Sequence, residues 1–210
     1  MNDPVARAKK EVLHETRRYT VLKAARKVFE AKGLDGASIR LIAKAAGVTT
    51  GSIYPYFKGK EEIYAEVLSE SLEEYKNQLL GEVGKAHDPE SRFAAALTAH
   101  FAFYENRPSD LSLALYLYNG LKPRGLTPEL DARLNDQLDF NLAFFRGCVR
   151  ALANCSERKA EIEVGLHLST LFGMLILHHT KRIRAFHIDA RSLLKVHIRQ
   201  SIDRLTAVTT

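Results

Sequence analysis

Tryptophan is absent from the 210-residue chain, and cysteine and methionine occur twice each. Cys148 and Cys155 are too few for a disulfide framework or a four-cysteine zinc site, and they fit a reducing compartment. No run alternates apolar and polar residues at period two over enough positions to argue for a sheet. Internal repeats and low-complexity tracts are missing as well. Residues 1–18 are polar and charged, without the apolar stretch of an export signal. The longest apolar stretch, residues 162–177, falls short of the ~20 residues a spanning helix needs, and Glu163 and His167 interrupt it. The expectation is a cytoplasmic chain without a membrane partner. Motifs that carry chemistry are also lacking: no His-Glu-x-x-His, no Gly-x-Ser-x-Gly, no phosphate-binding loop and no dinucleotide fingerprint. A di-iron bundle needs two Glu-x-x-His pairs on separate helices, and only residues 11–14 have that spacing. An enzyme is therefore the disfavoured reading, and no cofactor or metal is expected.

What is present is globular. Hydrophobic residues make up 46% and charged residues 27%, which excludes a disordered or collagen-like chain. The charge is unevenly spread. Of the overall +6, residues 1–60 carry +8 and residues 61–210 carry −2. A basic module on a slightly acidic body suits a polyanionic partner, with nucleic acid foremost, although a solvated basic face would give the same count.

The pattern is helical throughout. Val21, Leu22, Ala25, Val28 and Phe29 fall on one face of a helix over residues 16–32, which Gly33 ends. Ser38 is placed to cap a short helix over 39–46 that Gly47 stops. Thr49 or Thr50 then caps another short helix running to Phe57. Lys60 opens a longer one with the face Ile63, Val67, Leu68, Leu72, Tyr75 and Leu79. Pro89 starts a helix bearing Phe93, Leu97, Phe101 and Tyr104, and Asp110 is placed to cap residues 111–119. Thr127-Pro128-Glu129 combines a cap, a first-position proline and a first-turn acid ahead of Leu130, Leu134, Leu138, Leu142 and Phe145. Ser156 caps a helix toward Arg184, and Asp189 caps the last one.

Two short helices joined by Gly47-Val48 have helix-turn-helix spacing. The glycine reverses the chain, Ala43 permits a close crossing, and Ile42, Val48 and Ile53 are spaced to fill the wedge. Thr49, Thr50, Gly51, Ser52, Tyr54 and Tyr56 are the small and polar side chains left to face outward.

Residues 43–62, Ala-Lys-Ala-Ala-Gly-Val-Thr-Thr-Gly-Ser-Ile-Tyr-Pro-Tyr-Phe-Lys-Gly-Lys-Glu-Glu, resemble the TetR family of bacterial transcriptional regulators. Ala24-Ala25, Phe29 and Gly33-Leu34 resemble that family's first helix, so the likeness covers about residues 16–65. It implies an all-α fold: a helix-turn-helix, three-helix DNA-binding domain over residues 1–60, then a helical ligand-binding and dimerisation domain over 61–210. Residues 1–15, with Arg7, Lys9 and Lys10, are either a basic arm toward DNA or a frayed end.

The resemblance also implies roles. Thr49 caps the recognition helix and donates to phosphate. Thr50, Gly51 and Ser52 face base edges, Tyr54 and Tyr56 contact backbone and thymine methyls, and Lys60 contacts phosphate. Arg40 matches a position where relatives place arginine on guanine, and Lys44 holds a phosphate. This recognition helix has no Arg, Asn or Gln, so methyl contacts, Arg40 and DNA shape carry more of the specificity.

For the body, the family implies a ligand cavity and a dimer built from the last two long helices. Gly165, Ser169 and Gly173, at four-residue spacing on a helix apolar on nearly every side, are read as a dimer contact buried all round, with Leu193 and His197 on the last helix. Candidate ligand residues are Phe101, Tyr104, Tyr116, Tyr118, Asn141, Phe144, Phe145 and His167, although for each one taken singly ordinary core packing is the favoured reading, since aromatic stripes at helical spacing usually pack. The expected function is a dimeric repressor that a small, mainly apolar or aromatic effector releases from double-stranded DNA. The alternative is a ligand-independent, chromosome-associated DNA-binding protein. The histidines at 178, 179, 187 and 197 are read as helix-end groups rather than metal ligands, because adjacent positions on a helix diverge by about 100°.

Overall fold

The structure, a computed structural model, describes residues 4–115 and 126–207. Eight α-helices and two short 3-10 turns run through the described residues, with no strand among them. The chain divides into two compact units: residues 1–71 with 109–134, and residues 72–108 with 135–210. The first takes in the expected basic module and reaches beyond residue 60.

In the first unit α1 runs over Pro4–Gly36, with a kink where Gly33 adopts φ 65°. It begins a dozen residues earlier than the apolar pattern predicts. Residues 7–9 and 11–15 in the extra turns are exposed, Val12 and Leu13 included, so no buried face marked them in the sequence. Helix α2, Ile39–Ala46, starts as expected on Ser38, whose Oγ accepts from Leu41 N at 3.2 Å. Gly47 at φ 68° closes it in the left-handed conformation glycine adopts without strain. Then come the 3-10 turn Thr50–Ser52 and the first half of α3, Lys60–Val83.

The core of this unit is Leu22, Ala25, Phe29, Leu34, Ile42, Ile53, Phe57, Ile63 and Val67. Burying each large side chain contributes about 1.5–3 kcal/mol. Phe29 meets Tyr64 edge-on at 5.1 Å, and the Tyr64 hydroxyl donates to Leu113 O at 2.6 Å. Leu113 lies in α5, Pro108–Leu115. Asp110 does not cap that helix as the sequence suggested. It sits buried in the first turn and receives the Arg26 guanidinium of α1. A second ion pair, Arg18 with Glu66, is shared with Arg133 at 2.6 Å near the start of α6, Pro128–Ala153. Burial pushes the Glu66 carboxyl up, but Arg133 and Arg18 outweigh it and hold the group below its usual range.

The second unit holds the rest of α3 and α6 with α4 (Pro89–Glu105), α7 (Glu157–His179) and α8 (Ala190–Ala207). Helix α4 opens on a capping box between Asp88 and Ser91 with Pro89 at its first position. Helix α7 starts on Ser156 as expected but ends at His179, short of Arg184. Lys181 turns left-handed at φ 61° and starts the second 3-10 turn, Arg182–Phe186.

Helix α7 is not buried all round within one chain. Ala160, Val164, His167, Leu171 and Leu175 face inward, while Ile162, Gly165, Leu166, Ser169, Gly173 and Ile176 are exposed. It is also the one described helix long and apolar enough, by length and composition, to cross a membrane. An inward stripe carrying Glu163 locked to Arg204 of α8 by two 2.6 Å hydrogen bonds is what a helix packed against a protein neighbour needs.

Candidate functional site

The candidate DNA-reading surface is built from α2 and the segment that follows it. The recognition element is not the short α-helix the sequence suggested. It is one 3-10 turn followed by turns, held by Ser52 N to Thr49 O and Ile53 N to Thr50 O, both 3.1 Å. Pro55 contributes locally, because it lacks the N–H that would bond the Gly51 carbonyl and continue a helix. Thr49 occupies the cap position without a side-chain capping bond, contrary to expectation; instead Ser52 Oγ donates to Thr49 O at 2.7 Å.

Ile42, Ala43 and Ile53 fill the wedge between the two elements, whereas Val48, expected with them, is 37% exposed. Arg40, Lys44, Thr49, Thr50, Gly51, Ser52 and Tyr54 are all exposed, and Tyr56 is half-buried. Neither Arg40 nor Lys44 has an ion-pair partner among the described residues, so both cations are available to an external anion. Lys60 is more constrained. Its half-buried ammonium donates to Leu34 O at 2.9 Å and Ala37 O at 3.2 Å, which commits two of its three donors to the end of α1.

The structure adds neighbours that the sequence did not single out. Arg17 and Thr20 of α1 line a cleft of about 350 Å³ with Val48, Thr49, Ser52 and Tyr56. The His14 ring lies 4.5 Å from that of Tyr56. The signal for these was available only as basic charge ahead of the first apolar turn. Arg7 and Lys9 lie on the same helical extension, so the basic leader is ordered as helix from residue 4.

In the second unit, the candidate ligand residues fall into two groups. Phe101, Tyr104 and Phe145 are buried, and Phe144 is half-buried. Tyr104 stacks on Tyr75 at 5.7 Å and meets Phe103, Phe172 and His100. Asn141 is 5% exposed, and its Oδ1 has no hydrogen-bond partner among the described residues. His167 stands apart from this group. It meets the Phe93 ring and shares a 3.1 Å hydrogen bond with Nε2 of His197 on α8. Burial, with His197 and Arg204 nearby, holds His167 neutral, its pKa pushed down to about 4. His197, expected at the dimer face, is thus half-buried against His167, beside a half-buried Leu193. Tyr116 and Tyr118 lie outside the described residues.

Sequence reasoning missed His100. It falls between Phe93 and Tyr104 on the apolar stripe of α4, so the helical period marks it as inward-facing. Among the described residues, no three His, Cys, Asp or Glu gather as a metal site would require.

Comparison with known proteins connects these features. Residues 21–67, which span the end of α1 through the start of α3, match the sequence profile of "Bacterial regulatory proteins, tetR family". The fatty acid metabolism regulator protein of Bacillus subtilis is 26% identical over 155 residues, covering 74% of this chain and 77% of that protein. The fold is shared with a Bacillus subtilis transcriptional regulator FadR solved with stearoyl-CoA, at a TM-score of 0.66 and 19% identity over 86% of this chain and 95% of that one. It is shared too with AibR, solved with isovaleryl coenzyme A and operator DNA, at 0.65 and 16% over 87% and 96%. Residues 21–67 are thus a DNA-binding module of the TetR type, and the chain resembles the TetR family of bacterial transcriptional regulators over most of its length.

Proposed function

We propose that the protein is a ligand-responsive repressor that binds a pseudo-palindromic operator as a homodimer and leaves it when a small, mainly apolar effector enters the body. The observation that carries this reading is the pairing of an unneutralised, exposed Arg40–Lys44 face with the outward row Thr49 to Tyr54 on a module of charge +8. Phosphate contacts position such a module, and a bidentate arginine–guanine contact adds about 1–3 kcal/mol of discrimination.

Two further features support the dimer. The exposed stripe of α7 combines small residues, Gly165, Ser169 and Gly173, with Ile162, Leu166 and Ile176, which are 44–54% exposed. Val196 of α8 adds to the uncovered apolar surface. A two-fold dimer would set its two reading heads one or more DNA turns apart, about 34–36 Å per turn.

For the effector, the buried aromatic group of the second unit favours an apolar skeleton. The relatives crystallised with acyl-coenzyme A ligands make an acyl derivative the first candidate. Helix α3 belongs to the first unit up to Ser71 and to the second from Leu72, so it is the continuous element through which ligand binding would reach the head. A ligand acts only through its difference in affinity between the DNA-bound and free states.

The test is an anisotropy titration on DNA from upstream of the protein's own coding region, repeated with acyl-coenzyme A added. Release on addition supports the repressor reading. Tight binding that no effector changes favours the ligand-independent, chromosome-associated alternative.

A further inference from the structure

His100 lies at the centre of an aromatic group on the inner side of α4. Its ring meets Tyr104 at 5.2 Å, Phe172 at 5.2 Å, Tyr75 at 5.6 Å and Phe145 at 5.9 Å, and the residue is only 3% exposed. The Tyr75 hydroxyl is 2.8 Å from Nδ1. Burial raises the Tyr75 pKa well above its ordinary value, so the phenol keeps its proton. Among the described residues that proton has no acceptor other than His100 Nδ1. Burial likewise holds the imidazole neutral, with a pKa of about 3, leaving one ring proton, and Nδ1 is occupied as acceptor. The proton is therefore on Nε2, and Nε2 is a buried N–H without a partner among the described residues.

Helix α6 carries two more atoms without a hydrogen-bond partner among the described residues. Gln137 Oε1 and Asn141 Oδ1, both buried, have no hydrogen-bond donor. They precede Phe145, whose ring touches His100, by two turns and one turn on the same face of α6. Native interiors rarely leave such groups unpaired, and a cluster of them needs a reason.

We propose that these atoms form the polar recognition element of the effector site: His100 Nε2–H donates to a carbonyl, and Asn141 with Gln137 accepts from an N–H or O–H farther along the same ligand. The ligand class that fits is a neutral acyl derivative, an acyl chain joined through an ester, thioester or amide to a donor-bearing arm. A free carboxylate does not fit. The rings around His100 carry no charge, and the donor itself is neutral, so an ionised acid would be buried without a counter-charge. This inference rests on the ligand-responsive reading above and narrows its ligand to a chemistry.

The experiment measures binding to the full-length protein by calorimetry, with three probes in butanoyl, octanoyl and dodecanoyl forms. They are the N-acetylcysteamine thioester, which has both carbonyl and N–H; the ethyl thioester, which has only the carbonyl; and the free acid. The expected order is N-acetylcysteamine thioester tightest and free acid weakest. Asn141→Leu should weaken the first probe about tenfold or more and leave the ethyl thioester unchanged. Ligand-free Asn141→Leu should melt no lower than the parent, since replacing an unmatched acceptor by an apolar group of similar size removes a cost. Binding of the free acid as tight as the thioester overturns the inference. So does an unchanged affinity in Asn141→Leu, a marked fall in its melting temperature, or binding of no probe at all. Operator binding, measured separately on the same protein, reports on the regulator reading, so the two fail independently.

Discussion

Arg40 and Lys44 are exposed and unpaired, so their contribution to DNA binding should come without a folding role. Lys44→Ala should reduce the slope of log K against log salt by about 0.9 and leave the melting temperature unchanged. Lys60 should behave differently, because its ammonium also ties the Leu34 and Ala37 carbonyls. Lys60→Met should weaken DNA binding and also lower stability by about 1.5–3 kcal/mol, the range for hydrogen bonds to a charged donor. Thermal melts of the two variants side by side separate the cases; equal melting temperatures would show that the Lys60 clamp contributes nothing.

The two buried histidines give the pH dependence a sign. His100 and His167 are held neutral in the folded protein, with pKa values pushed to about 3 and about 4, while the unfolded chain takes up those protons near pH 6.5. Between these limits the unfolded state binds more protons. Stability is therefore complete above about pH 6.5 and falls as the pH drops toward 4, by up to about 1.4 kcal/mol per pH unit for each such histidine. Denaturant melts at pH 7 and pH 5 check this, and a flat profile would contradict the burial of both rings.

At the scale of elements, the sequence was most readable where one local rule decides. Ser38 caps α2 and Gly47 ends it because a side-chain acceptor and a left-handed residue are local requirements. A Cβ at Gly47 would touch nothing, so the cost of Gly47→Ala is purely conformational. It should destabilise the first unit by about 1–2 kcal/mol in a chemical melt. Boundaries set by competing rules were less readable. The recognition segment has helical periodicity, but Pro55 helps to limit it to a 3-10 turn. The exposed turns at the start of α1 have no apolar face to show in the sequence. Asp110 had the composition of a cap and became the partner of Arg26 instead, a pairing 84 residues apart that no local pattern contains. The candidate ligand group was legible as aromatic spacing, whereas the role of His100 depends on a tautomer set by Tyr75 of another helix.

At the scale of the whole molecule, the proposed mechanism needs one surface for DNA, where the charge is concentrated, and one for a second copy of the chain, the exposed stripe of α7. Leu166→Glu, placed on that stripe, should shift the protein from dimer to monomer in sedimentation velocity while keeping its helical circular dichroism. A dimer that persists in this variant would place the interface elsewhere. In the proposed mechanism the basic head reads double-stranded DNA through the face from Arg40 to Tyr54. The most direct measurement is anisotropy at fixed salt on a duplex from upstream of the protein's own coding region, against a scrambled duplex of equal length. Tight, salt-sensitive and sequence-selective binding is expected, weakened by about tenfold or more in Arg40→Ala and Tyr54→Ala with their folding intact. Equal affinity for both duplexes, or variants that bind as the parent does, would contradict it.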